Sequence, residues 1–131
     1  MKNNIKFEVI ENGGVTSPKG FKASGVVGGI KKQNKKDVAV IASDVPAFAA
    51  GTFTTNKVAA APVLVSREKL QNGIAQAVVV NSGIANACTG KVGLENAYKM
   101  AEITAMKLGI SKDDVVVAST GVIGINLDME K

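Results

Sequence analysis

Residues 115–124 read Val-Val-Val-Ala-Ser-Thr-Gly-Val-Ile-Gly and are the most informative part of the sequence. Three consecutive valines predict a buried β-strand, and the strand then runs into two hydroxyl side chains and a glycine. A strand end of this kind exposes hydroxyls and backbone N–H groups at the edge of a sheet. Oxyanion holes and anion-binding nests are made from such groups. The stretch therefore predicts a sheet whose edge provides the stabilising half of a catalytic site.

A second strand end of the same kind precedes the clearest helix pattern. Residues 77–83 read Ala-Val-Val-Val-Asn-Ser-Gly, again an apolar run that ends in a polar pair and a glycine. Residues 93–108 follow the helical period. The predicted inner face consists of Leu94, Tyr98, Ala101, Ala105 and Leu108, and it is widened by Ala97, Met100, Ile103 and Thr104. A strand–helix–strand unit can place both strand ends at the same edge of a sheet. We therefore predict an α/β fold, with sheet layers packed against this helix.

Short apolar runs predict further strands over residues 21–30, 37–43, 49–55 and 62–66. The first two strands form a hairpin around a turn that contains Lys31, Lys32, Lys35 and Lys36. A short helical turn over residues 67–71 ends at Gly73. At 131 residues, the chain is predicted to be one domain.

The composition narrows the classes of partner. Apolar residues make up 46% of the chain and charged residues 21%, so a globular protein is expected. The net charge of +5 comes largely from the lysine-rich turn. Nucleic-acid binding would need arginines and aromatic residues among these lysines, but the chain has a single arginine, Arg67. We therefore predict a solvated turn and no nucleic-acid partner.

Cysteine usage and hydropathy indicate the compartment. Cys88 is the only cysteine, which excludes a disulfide within the chain and fits a reducing cytoplasm. Because its neighbours are small and neutral, we expect Cys88 to be a buried structural thiol. No apolar run is long enough for a membrane span, so a cytoplasmic location without membrane contact is predicted.

The residues offer few candidates for a general base or a metal ligand. The chain has no histidine, which excludes His-based triads and zinc sites that need His. The pair Asp113-Asp114 lies just before a predicted strand, where a loop role is expected. The loop over residues 81–90 is rich in small polar side chains. It is either a substrate or transition-state loop, or a structural turn whose Asn and Ser side chains bond to the backbone.

Six stretches together resemble the N-terminal part of the ornithine acetyltransferase family of arginine biosynthesis, also called glutamate N-acetyltransferase. They occur in order at residues 21–32 (Phe-Lys-Ala-Ser-Gly-Val-Val-Gly-Gly-Ile-Lys-Lys), 50–56 (Ala-Gly-Thr-Phe-Thr-Thr-Asn), 60–63 (Ala-Ala-Pro-Val), 79–83 (Val-Val-Asn-Ser-Gly), 86–90 (Asn-Ala-Cys-Thr-Gly) and 118–124 (Ala-Ser-Thr-Gly-Val-Ile-Gly). The resemblance extends over nearly all of the chain from about Gly14 onward. It implies a layered αββα-like fold of the N-terminal-nucleophile type.

The resemblance also implies a mechanism and partners. Family members cleave themselves into α and β chains, and the new N-terminal Thr of the β chain is the nucleophile. It takes an acetyl group from N-acetylornithine and passes it to glutamate, with its own α-amine as the base. The implied assembly is a heterotetramer of two α and two β chains. No metal or cofactor is implied, although acetyl-CoA is a possible acetyl donor.

The family's oxyanion hole is a Thr-Gly pair, which maps onto Thr120 and Gly121 of this sequence. The expected donors are the Thr120 hydroxyl and the Gly121 backbone N–H. Two positions depart from the family's pattern, because Ile84 stands where Asn is usual and Asp128 where Pro is usual.

The chain stops before the segment expected to hold a substrate-contacting Thr and Lys and the Ala-Thr cleavage junction. Alone, it is therefore expected to be an inactive α-chain fragment. Two alternatives stay open: a related self-cleaving amidase or aminopeptidase, and a non-catalytic module in which residues 119–121 bind an anion.

Overall fold

A computed structural model describes residues 6–32 and 34–130, so Gln33 of the lysine-rich turn lies outside the described residues. The elements are strands β1 (Phe21–Val26) and β2 (Val38–Phe48), helix α1 (Ala61–Lys69), strand β3 (Ile74–Ile84), helix α2 (Gly90–Leu108) and strand β4 (Val115–Val122). The four strands form one sheet in the order β1-β2-β3-β4. The predicted α/β class and the β1–β2 hairpin are both confirmed.

The strand–helix–strand unit is present as predicted. β1, β2 and β3 pair antiparallel, whereas β3 and β4 run parallel on either side of α2 in sequence. Ala77 pairs with Val115 at the start of the parallel ladder, and Ile84 pairs with Val122 at its end. The two similar strand ends therefore lie side by side at one edge of the sheet.

Both helices pack against the same face of the sheet. Alternate residues of β3 and β4 point to this face, and Val65 of α1 and Ala97 of α2 are completely buried against it. The buried core consists of Ala61, Val65, Ala77, Val79, Ala97, Met100, Ala101, Ala105, Val115 and Val117. The chain thus provides one α layer and one β layer of the predicted αββα arrangement.

The prediction of a strand over residues 62–66 is wrong, because these residues belong to α1. Pro62 lies in the first helical turn, where its fixed φ and missing N–H are tolerated. Ala61, Val65 and Lys69 are all buried and are spaced four residues apart. That helical spacing was the overlooked signal, since the two valines alone favour a strand.

Other element boundaries also differ from the predictions. Residues 49–55 form no strand, and β1 ends at Val26 rather than at residue 30. The buried face of α2 consists of Gly93, Ala97, Met100, Ala101, Thr104 and Ala105, whereas Tyr98 and Leu108 are more than one-third exposed. Alanines at 97, 101 and 105 let α2 approach the sheet closely, so the face of α2 that carries these small side chains packs inward. Gly73 ends its helical segment as expected, and Gly109 ends α2.

Ser66 covers the outer edge of β4. Its hydroxyl donates to the carbonyl of Val117 at 2.8 Å and accepts from the N–H of Val117 at 3.2 Å. One side chain thereby takes the place of a neighbouring strand at this position. Ser66 is 4% exposed and Val117 3%, so both bonds lie away from water. Covering an edge in this way prevents pairing with another chain.

Replacing Ser66 with Ala should destabilise the protein without changing its fold. The substitution leaves the buried N–H and C=O of Val117 without partners, which costs about 1–3 kcal/mol. The free energy of unfolding, measured by denaturant titration, should fall by this amount. An unchanged value would show that water or a backbone shift replaces the hydroxyl.

Candidate active site

Thr120 and Gly121 lie near the carboxyl end of β4, at the edge where the two similar strand ends meet. Thr120 is opposite Ser82 in the parallel register, and Gly121 is opposite Gly83. Both Thr120 and Gly121 are exposed. Within residues 6–32 and 34–130, the Thr120 hydroxyl forms no hydrogen bond, so it is available to an incoming group. The two candidate donors are therefore together on an accessible surface.

The backbone at Gly121 approaches β3 too closely for any side chain. A Cβ on Gly121 would lie 2.3 Å from the carbonyl carbon of Gly83. Gly121 has a φ of 132° and Gly83 a φ of 108°, conformations that are open to glycine and rarely to other residues. Both strands therefore depart from regular geometry at the same level, directly beside Thr120.

Three contacts fix how β4 is oriented between its two neighbours. On one side, the carbonyl of Val122 accepts from the N–H of Ala85, which follows β3. On the other side, Val117 bonds to Ser66 of α1 through both of its backbone groups. On the helix-covered face, the Ser119 hydroxyl donates to Oδ1 of Asn81.

Asp37 organises the loop that follows β1 and packs onto Gly83. Its buried carboxylate accepts from the N–H groups of Gly28 at 2.5 Å and of Ile30 and Lys31 at 2.7 Å each. The side chains of Ile30 and Lys31 lie over Gly83, where a Cβ would be 3.0 Å and 2.9 Å from them. The sequence predicts Asp37 only as a strand residue. The missed signal was a lone acidic residue after a glycine-rich and lysine-rich segment with many free N–H groups.

The hydrogen bond from the Lys31 N–H is the main factor that holds the pKa of Asp37 below its usual range. Burial acts in the opposite direction, while the N–H groups of Gly28 and Ile30 and the Lys31 charge add to the lowering. A lowered pKa in the folded state stabilises the protein above the pKa of the unfolded chain. This stabilisation is lost as the pH falls through the folded-state pKa.

We therefore expect Asp37→Asn to change the acid dependence of stability. An asparagine offers one carbonyl oxygen and no charge to the three N–H groups, so the variant should be less stable at neutral pH. The gap between variant and wild type should narrow as the pH falls from the ordinary aspartate pKa of 3.8 toward the lower folded-state pKa of Asp37, because the unfolded chain takes up the proton first. Melting temperatures at several pH values measure this, and a gap that stays constant or widens would contradict the role given to Asp37.

The segment predicted as a loop over residues 81–90 begins within β3 and ends at the first residue of α2, so only residues 85–89 connect the two elements. Nδ2 of Asn86 donates to the carbonyl of Gly93 at 2.7 Å, and its Oδ1 accepts from the Thr89 hydroxyl at 2.5 Å. These contacts support the structural-turn interpretation for residues 86–90. The expectation for Cys88 is wrong, because it is exposed and has a φ of 56°. The turn between β3 and α2 points its side chain outward.

The remaining candidates are structural or peripheral. Nζ of Lys69 lies 2.6 Å from the carboxylate of Asp113, so this acid joins α1 to the turn before β4. The carbonyl of Ile84 accepts a hydrogen bond from Nδ2 of Asn81. Asp128 lines a cavity of about 170 Å³ between α2 and the ends of β2 and β3.

No cluster of His, Cys, Asp or Glu in the described part of the chain could hold a metal ion. Among those residues, no helix has the length and apolarity that crossing a membrane requires.

Comparison with known proteins decides the family. Residues 22–131 match the ArgJ family. The chain belongs to the ArgJ family. It is 53% identical over 124 residues to the arginine biosynthesis bifunctional protein ArgJ 1 of Clostridium acetobutylicum, covering 95% of this chain and 30% of that protein. It is 47% identical over 133 residues to the ArgJ protein of Dehalococcoides mccartyi, covering 100% of this chain and 32% of that protein.

Solved ArgJ structures share the fold. The arginine biosynthesis bifunctional protein of Bacillus halodurans superposes with a TM-score of 0.88 at 49% identity, covering 92% of this chain and 63% of that one. The ornithine acetyltransferase of Mycobacterium tuberculosis, solved with ornithine, gives 0.86 at 44% identity, covering 89% and 64%. The chain spans about 30% of the length of the curated ArgJ relatives. The resemblance seen in the six sequence stretches is confirmed.

Proposed function

We propose that this chain is the α-chain portion of an acetyltransferase of arginine biosynthesis and supplies its oxyanion hole. The enzyme would move an acetyl group from N-acetylornithine to glutamate through an acetyl-threonine intermediate. Membership of the ArgJ family and the likeness to an ornithine acetyltransferase support the reaction. The observation that carries the role of this chain is the pairing of an exposed Thr120 with Gly121 at an irregular strand end.

Strand alternation supports Gly121 as a donor. Successive residues of a parallel strand direct their backbone groups to opposite edges. Val122 bonds toward β3 and Val117 bonds away from it, so odd-numbered residues of β4 direct their N–H groups outward. The N–H of Gly121 therefore points away from β3, where a ligand can accept from it.

The same alternation supports the Thr120 hydroxyl as the second donor. The Ser119 side chain lies on the face that the helices cover, where it bonds to the buried Asn81. The Thr120 side chain therefore belongs to the opposite, open face of the sheet. The hydroxyl and the Gly121 N–H are adjacent along the chain, so both can point at one oxygen above this edge.

The proposed chemistry uses these donors on charge that develops during the reaction. The hydroxyl of the β-chain Thr gives its proton to its own α-amine, and its oxygen attacks the acetyl carbonyl carbon. The carbonyl oxygen becomes negative and accepts from Thr120 and Gly121. The C–N bond then breaks and ornithine leaves with the proton. The amine of glutamate next attacks the acetyl carbon of the acetyl-threonine, its proton passes through the α-amine to the Thr oxygen, and the acyl C–O bond breaks to release N-acetylglutamate. Donors fixed in advance for this oxygen lower the barrier, by about 3–4 kcal/mol for one good donor.

The apolar residues on the open face of the sheet are evidence for a partner chain that covers it. It carries a band of half-buried small and β-branched residues, namely Ala39, Ile41, Val78, Val80, Val116 and Ala118. We propose that the β chain covers this face and brings its N-terminal Thr near Thr120. A heterotetramer of two α and two β chains, acetyl-CoA as a second acetyl donor and a cytoplasmic location remain predictions.

Expression of the complete precursor tests the proposal. Size-exclusion chromatography followed by mass spectrometry should find an α chain that contains this sequence together with a second chain that begins with Thr. The second chain should gain the mass of one acetyl group when N-acetylornithine is added without glutamate. An active precursor that is never cleaved, or an acetyl group located on another residue, would contradict the mechanism.

A further inference from the structure

Asn81 is the buried side chain that joins the two strand ends. It is 2% exposed and lies on β3 directly opposite Ser119 of β4. Its Oδ1 accepts from the hydroxyl of Ser119, the residue immediately before Thr120. Its Nδ2 donates at 2.8 Å to the carbonyl of Ile84, which follows Gly83. A single amide therefore contacts both strands beside the proposed oxyanion hole.

The bond to Ile84 spans the irregular part of β3. It closes a short loop of chain around Gly83, whose φ is 108°. Gly121 packs directly on the backbone of Gly83. The position of Gly83 therefore decides where the Gly121 N–H can lie.

The two partners of Asn81 demand opposite properties from its side chain. The Ile84 carbonyl needs a donor, and the Ser119 hydroxyl, as oriented here, needs an acceptor. An amide supplies both at once. A carboxylate would place negative charge beside a carbonyl oxygen in a buried site, and an apolar side chain would leave both groups without a partner.

We propose that Asn81 is a positioning residue for the acetyl transfer, acting through Ser119 and Gly83 on the two oxyanion donors. The inference rests on the proposed function, because it gives Asn81 a role only if Thr120 and Gly121 hold the oxyanion. Donors of this kind work by being fixed before the reaction begins. Displacement of a reacting geometry by about 1 Å costs about a hundredfold in rate.

The test compares Asn81→Ala and Ser119→Ala in the complete, self-processed enzyme. Each variant should lower kcat by about tenfold to a hundredfold, less than loss of a donor itself. KM for N-acetylornithine should change by less than about threefold, because the donors act mainly in the transition state. If Asn81→Ala fails to fold, Ser119→Ala decides, since it removes one bond and keeps the amide in place.

Asn86→Ala is the matched control. Asn86 is also an amide that is 2% exposed, and its two hydrogen bonds go to Gly93 and Thr89 at the start of α2. This variant should lower the melting temperature and keep kcat. An equal fall of kcat in Asn86→Ala would mean that general loosening explains the effect, and the positioning role would be overturned.

Combination with Thr120→Ala separates this inference from the proposed function. If Ser119 acts through Thr120, the substitution Ser119→Ala should reduce kcat much less in the Thr120→Ala background than it does in the wild-type enzyme. Independent, multiplying effects would overturn the inference. Unchanged kcat in Thr120→Ala would overturn the proposed function itself. A large loss in Thr120→Ala with wild-type kcat in Asn81→Ala and Ser119→Ala would overturn only the positioning role.

Discussion

Thr120→Ala should reduce kcat of the complete enzyme by about two to three orders of magnitude. The substitution removes a hydroxyl that faces the open side of the sheet, while the buried residues of β4 keep their contacts. Because this donor strengthens its contact as negative charge develops, turnover should fall much more than affinity for N-acetylornithine. Steady-state kinetics on purified, fully cleaved enzyme measure both quantities.

Self-cleavage must be followed separately in this variant. Cleavage of the precursor also passes through a tetrahedral species, so the same donors can assist it, and a gel shows how much enzyme is processed. If correctly processed Thr120→Ala turns over at nearly the normal rate, Thr120 only ends a strand. Residues 119–121 would then fit the non-catalytic anion-binding alternative better.

Gly121→Ala should have a still larger effect, on both stability and turnover. Its Cβ would lie 2.3 Å from the carbonyl carbon and 2.4 Å from the carbonyl oxygen of Gly83. The parallel strands would have to separate, and overpacking and backbone strain each cost about 1–3 kcal/mol. Both donors would move, so kcat should fall by at least about three orders of magnitude.

Gly124→Ala is the control for backbone strain. Gly124 also has a positive φ, of 93°, but a Cβ there would meet open space. The two variants therefore share the conformational strain and differ in the clash. Calorimetry and kinetics should show a small loss of stability with nearly normal turnover for Gly124→Ala. Equal damage in both variants would mean that the close approach of Gly83 and Gly121 is unimportant.

The parallel pair of strands β3 and β4 could be predicted because its sequence signals are local and agree with one another. Two valine-rich runs each end in a polar pair and a glycine, and they flank one long segment whose apolar residues follow the helical period. The candidate donors followed from the same two strand ends. Their assignment to Thr120 and Gly121 needed the family resemblance, since hydroxyls next to glycine are common in loops.

The residues that hold the site in place could not be predicted, because their partners are distant in the sequence. Ser66 bonds to a residue 51 positions away and Ser119 to one 38 positions away. Asp37 accepts hydrogen bonds from the N–H groups of Ile30 and Lys31, at the end of a segment for which the sequence predicts a strand over residues 21–30. The valines of α1 favoured a strand in the sequence, and only burial on the sheet shows why the segment is helical.

The role of Thr120 as an oxyanion donor is tested most sharply by the rate at which acetyl-enzyme forms in Thr120→Val and Thr120→Ser. Valine keeps the shape of threonine without its hydroxyl, whereas serine keeps the hydroxyl without the methyl group. Processed enzyme is mixed with N-acetylornithine, quenched rapidly, and the β chain is weighed by mass spectrometry. We predict a rate for Thr120→Ser within about tenfold of wild type and a loss of about two to three orders of magnitude for Thr120→Val. Rapid acetylation in Thr120→Val would contradict this prediction, because the hydroxyl of Thr120 would then not stabilise the intermediate.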